Sequence, residues 1–208
     1  MIRAVLWDFG GVILTSPFDA FDHYEQDRGL PAGFLRNVNA TDPDTNAWAR
    51  LERSELTAID FDAAFTVESS ALGHAVPGAD VLALLIGEVR PQMVRALDNV
   101  RRSGLLAACL TNNVTGGVQR HEVEEVMARF DLVVESSKVG VRKPEPRFYE
   151  ITCELLDVRP EECVFLDDLG VNLKPARTMG MTTIKVADAD EALAELSDVL
   201  DFDVLAAT

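Results

Sequence analysis

Basic residues are scarce in this chain. Nineteen Lys and Arg stand against 35 Asp and Glu, a formal net charge of −16 over 208 residues. That balance repels nucleic acid and anionic membrane surfaces, and neither is expected as a partner. It also works against an anionic substrate, so a site for one must supply positive charge locally. Cysteine is sparse too. Cys109, Cys153 and Cys163 are odd in number and lack metal-ligand spacing. They read as small core residues of a reduced, cytoplasmic protein. Long apolar runs are missing, because charges interrupt each candidate before it reaches the length of a membrane span. The apolar stretch near the N-terminus is short and carries Asp8, so no signal peptide is expected there. Internal repeats and low-complexity segments are also lacking.

What is present is enough apolar residue, 48%, for a sizeable core, and a repeated pattern at the ends of short apolar runs. Ala4-Val5-Leu6-Trp7 ends in Asp8-Phe9-Gly10-Gly11. Leu105 to Leu110 ends in Thr111-Asn112-Asn113. Leu132-Val133-Val134 leads through a short polar loop to Lys143-Pro144, and Cys163 to Leu166 ends in Asp167-Asp168. Taken singly, each polar segment also suits an ordinary turn or helix start. Together they place a carboxylate, a hydroxyl with an amide, an ammonium and a carboxylate pair at four strand ends. A parallel sheet brings those ends to one edge, where ligands of open α/β sheets bind.

From residue 91 onward the chain alternates strand and helix. Strands are expected at 105–110, 131–135, 162–167 and 182–186, after a first at 3–8. Helices are expected at 91–103, 117–129, 146–157, 172–179 and 189–199. This rhythm predicts an α/β fold, a Rossmann-like parallel-sheet core in three layers. Residues 16–88 break it. They read as helices at 18–28, 31–38, 45–54 and 57–72, punctuated by Pro17, Pro31, Pro43 and Pro77. Between residues 17 and 88, thirteen acidic residues against four basic ones give −9 of the total −16. The expected organisation is a core of 1–15 and 89–208 with a helical cap inserted over 16–88. Trp48, Phe61 and Phe65 are expected in the cap's own core.

The strand-end residues suit phosphoryl transfer, which needs a nucleophile, a divalent metal and donors for the moving oxygens. Asp8 is the candidate nucleophile and metal ligand. The Gly10 carbonyl and the Asp168 carboxylate complete the chain's share of an octahedral oxygen site for Mg²⁺. Thr111 and Asn112 offer hydrogen bonds to phosphoryl oxygens, and Lys143 offers a point charge. Asp167 is suited to orient Lys143 or a metal-bound water. Asn172 either ties down the Asp168 loop or caps a helix.

The segments Asp8-Phe9-Gly10-Gly11-Val12, Leu110-Thr111-Asn112-Asn113, Arg142-Lys143-Pro144-Glu145-Pro146 and Phe165-Leu166-Asp167-Asp168 resemble the four ordered motifs of the haloacid dehalogenase superfamily. The stretch from Val164 to Val186 is similar to the phosphatase-like N-terminal domain of soluble epoxide hydrolases, and to the related domain ahead of some acyl-CoA dehydrogenases. The resemblance implies a capped Rossmann-like core. It also implies Mg²⁺-dependent hydrolysis of a small phosphorylated metabolite through an aspartyl-phosphate on Asp8. By the same likeness Asp8, Gly10 and Asp168 hold the metal, and Thr111, Asn112 and Lys143 hold the phosphate. One position departs from the pattern. Most phosphatases of the family carry an acid–base Asp where this chain has Gly10. Good leaving groups are therefore expected, or a proton from the cap residues His23, Asp19 or Tyr24. A carbon–halogen hydrolase and a phospho-ligand- or protein-binding pseudo-enzyme are the alternatives. The oligomeric state, monomer or homodimer, is left open.

Overall fold

A computed structural model describes residues 1–114 and 120–206. Its centre is a five-stranded sheet in the order β3-β2-β1-β4-β5, with every neighbouring pair parallel. The strands are β1 (Ala4–Trp7), β2 (Leu106–Thr111), β3 (Leu132–Glu135), β4 (Cys163–Asp167) and β5 (Thr182–Lys185). All four residues of β1 are buried, because both faces of the sheet are covered. Val5 and Trp7 enter one cluster with Met93 and Leu97 of α6 (Pro91–Arg102) and with Leu193 and Leu196 of α11 (Ala189–Leu200). Ala4 and Leu6 enter the other, with Phe148 and Tyr149 of α9 (Pro146–Leu156) and Leu173 of α10 (Gly170–Thr178). This alternation is why the strand reads as an unbroken apolar run. Helix, sheet and helix form the three layers of an α/β fold. The chain reverses its direction of travel across the sheet between β1 and β4, so the carboxyl ends of those two strands flank the crevice.

Between the two arms of core chain lie α1 (Phe18–Arg28), α2 (Phe34–Ala40), α3 (Ala47–Glu52), α4 (Ala58–Ala71) and α5 (Gly78–Ala83). They pack around Phe21, Leu35, Leu51, Phe61, Phe65 and Val81, with Trp48 partly buried against them. Glu25 of α1 is almost fully enclosed, and its carboxylate accepts from Gly33 N (2.6 Å) and Leu35 N (2.8 Å) at the start of α2. That satisfies two of the amides a helix leaves unpaired at its N-terminus. The connecting arms pair with each other. Leu14 and Val89 form an antiparallel bridge, Thr15 N donates to Glu88 O (2.8 Å), and Arg90 N donates to Ile13 O (2.9 Å).

The expected helices differ from those found mainly at their ends. Two short helices, α5 and α8 (Ser136–Val139), were not expected. The helix expected from 117 begins in residues outside the described ones. It is seen as α7 (His121–Met127). Cys109, Cys153 and Cys163 are all free and buried, as core residues. Among the described residues no helix is long and apolar enough to cross a membrane.

Candidate active site

Asp8 follows β1 directly and opens a wide turn, Phe9–Ile13, closed by Leu14 N donating to Phe9 O (2.8 Å). Its two glycines do different things. Gly11 has φ +75°, and a Cβ there would overlap the Asp168 carboxylate. Only glycine allows both that backbone angle and that approach. Gly10 has ordinary angles (φ −70°, ψ 134°), and a Cβ on it would meet nothing within 4 Å.

The turn brings Asp8 beside the end of β4. Ligand oxygens of Asp8, Asp167 and Asp168 all lie within 4.8 Å of one another. Into this group comes Lys143 from the loop after α8. Its Nζ sits 2.8 Å from Asp8 Oδ1 and 2.8 Å from Asp167 Oδ2, with the side chain 1% exposed. Asp8 Oδ1 also accepts from Phe9 N (2.6 Å). Asp167 is enclosed by donors: Leu169 N (2.8 Å), Asn172 Nδ2 at both oxygens (3.0 and 3.1 Å) and Lys143. It therefore orients the ammonium. Asn172 lies inside α10 and holds Asp167, which separates the two roles open for it: it ties the loop and does not cap the helix.

The charges do not balance. Three carboxylates meet one ammonium. Arg90 adds a weaker attraction for Asp168 while donating to the Gly11 carbonyl (3.0 Å). The titration behaviour reflects this. Burial pushes the Asp8 carboxyl well above its usual range, and Lys143 only partly offsets that. Burial, then repulsion from Asp167, lifts Asp168 to about 6. For Lys143 burial favours the neutral form, but attraction to Asp167 and Asp8 overrides it and keeps the ammonium charged. A divalent cation fits this surplus of negative charge. The donors are all hard oxygens, the set that suits Mg²⁺ or Ca²⁺ and not a soft metal. Asp8, Asp167 and Asp168 are the carboxylates close enough together to hold one.

Thr111 ends β2 at the same sheet edge, two residues past Cys109, the register partner of Trp7. Asn112 follows Thr111 and bonds across to the Lys143 loop. Its side chain clamps the Lys143 main chain, with Nδ2 donating to Lys143 O (2.9 Å) and Oδ1 accepting from Lys143 N (2.9 Å). The second Nδ2 proton points at Glu52 Oε2 (3.2 Å) of α3. Both side-chain donors are thus engaged within the chain. The Tyr24 hydroxyl donates to Asp80 (2.7 Å) and is pushed up to about 12 by burial and by that bond, while His23 and Asp19 are exposed.

Sequence reasoning missed Glu52 and Arg90. Neither sits at a strand end, and their partners are far away in the chain. The one local signal is the Trp48–Glu52 spacing of four, which puts the indole Nε1 2.9 Å from Glu52 Oε1.

The family model described as haloacid dehalogenase-like hydrolase matches residues 2–180. The chain is 34% identical over 205 residues to acyl-CoA dehydrogenase family member 10 of Mus musculus, covering 96% of this chain and 19% of that protein. It is 31% identical over 220 residues to bifunctional epoxide hydrolase 2 of Sus scrofa, covering 98% of this chain and 40% of that protein. It thus spans well under half of either relative's length. A haloacid dehalogenase family enzyme of Bacteroides thetaiotaomicron, solved with magnesium and inorganic phosphate, shares the fold with a TM-score of 0.60. That match has 19% identity and covers 89% of this chain and 94% of that one. On sequence and fold together, the chain belongs to the haloacid dehalogenase-like hydrolases.

Proposed function

We propose that the chain is a Mg²⁺-dependent phosphatase of small phosphomonoesters, working through an aspartyl-phosphate on Asp8. The observation that carries this reading is the buried Lys143 ammonium held between Asp8 and Asp167, inside a carboxylate group with too little positive charge. Such a site lacks the charge for an anion until a cation joins it. A bound Mg²⁺ would supply that charge and polarise the phosphoryl group.

The chain's own residues then account for the chemistry. Asp8 Oδ1 is fixed by Phe9 N and Lys143. Among the described residues Oδ2 makes no hydrogen bond, which leaves it as the attacking oxygen. Its attack forms the O–P bond, and the ester P–O bond breaks with its electrons going to the leaving oxygen. Lys143 faces the charge that develops on the phosphoryl oxygens, and Thr111 and the Asn112 amide border the same edge. Water then attacks phosphorus, which releases phosphate and regenerates Asp8. Gly10 carries no acid for the leaving oxygen, so substrates with good leaving groups, such as aryl, acyl or anomeric phosphates, are favoured.

The test is phosphate release from a panel of esters, with Mg²⁺ or with chelator, beside Asp8→Asn. Release should require both the metal and Asp8. Release that survives either change contradicts the reading. Chelator-resistant halide release from a 2-haloacid would instead identify a carbon–halogen hydrolase. Tight phosphate-ester binding without turnover would identify a pseudo-enzyme.

A further inference from the structure

Glu52 ends cap helix α3, yet its carboxylate faces the core and is 6% exposed. Two hydrogen-bond donors and one guanidinium, from different parts of the chain, surround it. Trp48 Nε1 bonds Oε1 at 2.9 Å from within the cap. Arg142 Nε lies 2.5 Å from Oε2, and Asn112 Nδ2 lies 3.2 Å from the same oxygen, both from core loops. The Arg142 guanidinium is also nearly enclosed and reaches the cap a second time through Pro43 O (2.9 Å).

The orientation of the Asn112 amide is forced. Lys143 presents a main-chain donor and a main-chain acceptor to it, so Oδ1 must face Lys143 N and one Nδ2 proton must face Lys143 O. The remaining proton has one direction left, and Glu52 stands there. Glu52 therefore grips the Lys143 loop twice, through the Arg142 side chain immediately before Lys143 and through the amide that clamps Lys143 itself. The next link is the ammonium on Asp8 and Asp167. A buried charge left without its partner is strongly unfavourable, so this grip is stiff.

We propose that Glu52 is a positioning residue: a carboxylate supplied by the cap that sets the Lys143 ammonium against the nucleophile. Seating of the cap and alignment of the ammonium are then one event. The claim rests on Asp8 and Lys143 being the reacting pair.

Three variants test it, with p-nitrophenyl phosphate and Mg²⁺ for turnover and hydrogen exchange of the Lys143 amide as a readout independent of activity. Glu52→Ala should lower kcat about tenfold or more while KM changes less than about twofold, and should speed exchange at Lys143 by a similar factor. Glu52→Gln, whose amide oxygen can still accept from Asn112, should recover part of both losses. Should Glu52→Ala not fold, Glu52→Gln against wild type carries the comparison. Arg53→Gln opens the neighbouring cap-to-core pair with Glu145 (3.5 Å), whose side chain, among the described residues, makes no hydrogen bond to Asn112. It should lower the melting temperature without moving Lys143 exchange. If the Glu52 variants behave like Arg53→Gln, losing only stability, Glu52 is a strut and the proposal is overturned. If wild type releases no phosphate, the phosphatase reading falls, and Lys143 exchange still decides the role of Glu52.

Discussion

At the scale of single residues, Gly10 and Gly11 separate two requirements that look identical in the sequence. Gly11 is demanded by a left-handed backbone and by the Asp168 carboxylate against it. Gly11→Ala should therefore displace Asp168, and calorimetric titration should show Mg²⁺ affinity reduced at least about tenfold. Unchanged affinity would mean that Asp168 is not a ligand. Gly10 faces open space with ordinary angles. Gly10→Asp should fold normally and place an acid beside the leaving oxygen. It should raise the rate on alkyl phosphates relative to aryl phosphates by about 10²-fold or more, the usual worth of general acid catalysis. An unchanged ratio would show that protonation is not what Gly10 withholds. Asp8, Lys143, Asp167 and Asp168 were legible from sequence because each stands at or shortly after the end of an apolar run. Glu52 was not, since its partners Asn112 and Arg142 are 60 and 90 positions away and no periodicity links them. The bonds of the Asn112 side chain were not legible for the same reason: they go to the main chain of a distant loop.

At the scale of elements, legibility followed length. Helix α1 was read with the span it has, because eleven residues end in a basic residue and a left-handed Gly29. Helices α5 and α8, six and four residues long, carry too little periodicity to register. The entry to α2 also could not be read, because its cap comes from another helix. Glu25→Ala removes two charge-assisted bonds to Gly33 N and Leu35 N from an enclosed position. It should destabilise the cap by about 1–3 kcal/mol. Exchange of amides in 33–40 should accelerate, while amides of β1 and β4 keep their protection. Equal acceleration in both would show that cap and core open together.

At the scale of the whole molecule, the parallel α/β architecture was legible and the strand order was not. Order depends on which distant strands pair, and local pattern carries no such information. The −16 charge gains a specific meaning at the site, where carboxylates outnumber cations even after Lys143 is counted. Folded Asp168 has its pKa raised from 3.8 to about 6, so its contribution to stability is present at low pH and lost as pH rises through 6. With chelator, the melting temperature should fall by roughly 2–5 °C between pH 5 and pH 7, and Asp168→Asn should flatten that slope. Mg²⁺ should stabilise the protein more at pH 7 than at pH 5, since protons compete for its ligands. A melting temperature that rises over this interval with chelator would contradict the charge balance drawn for the site. The most direct test of the central claim is covalent. A single turnover of a phosphate ester with Mg²⁺, quenched in acid and mapped by mass spectrometry, should place one phosphoryl group on the peptide bearing Asp8. Turnover with that peptide unmodified, or with the phosphoryl group on another residue, would contradict it.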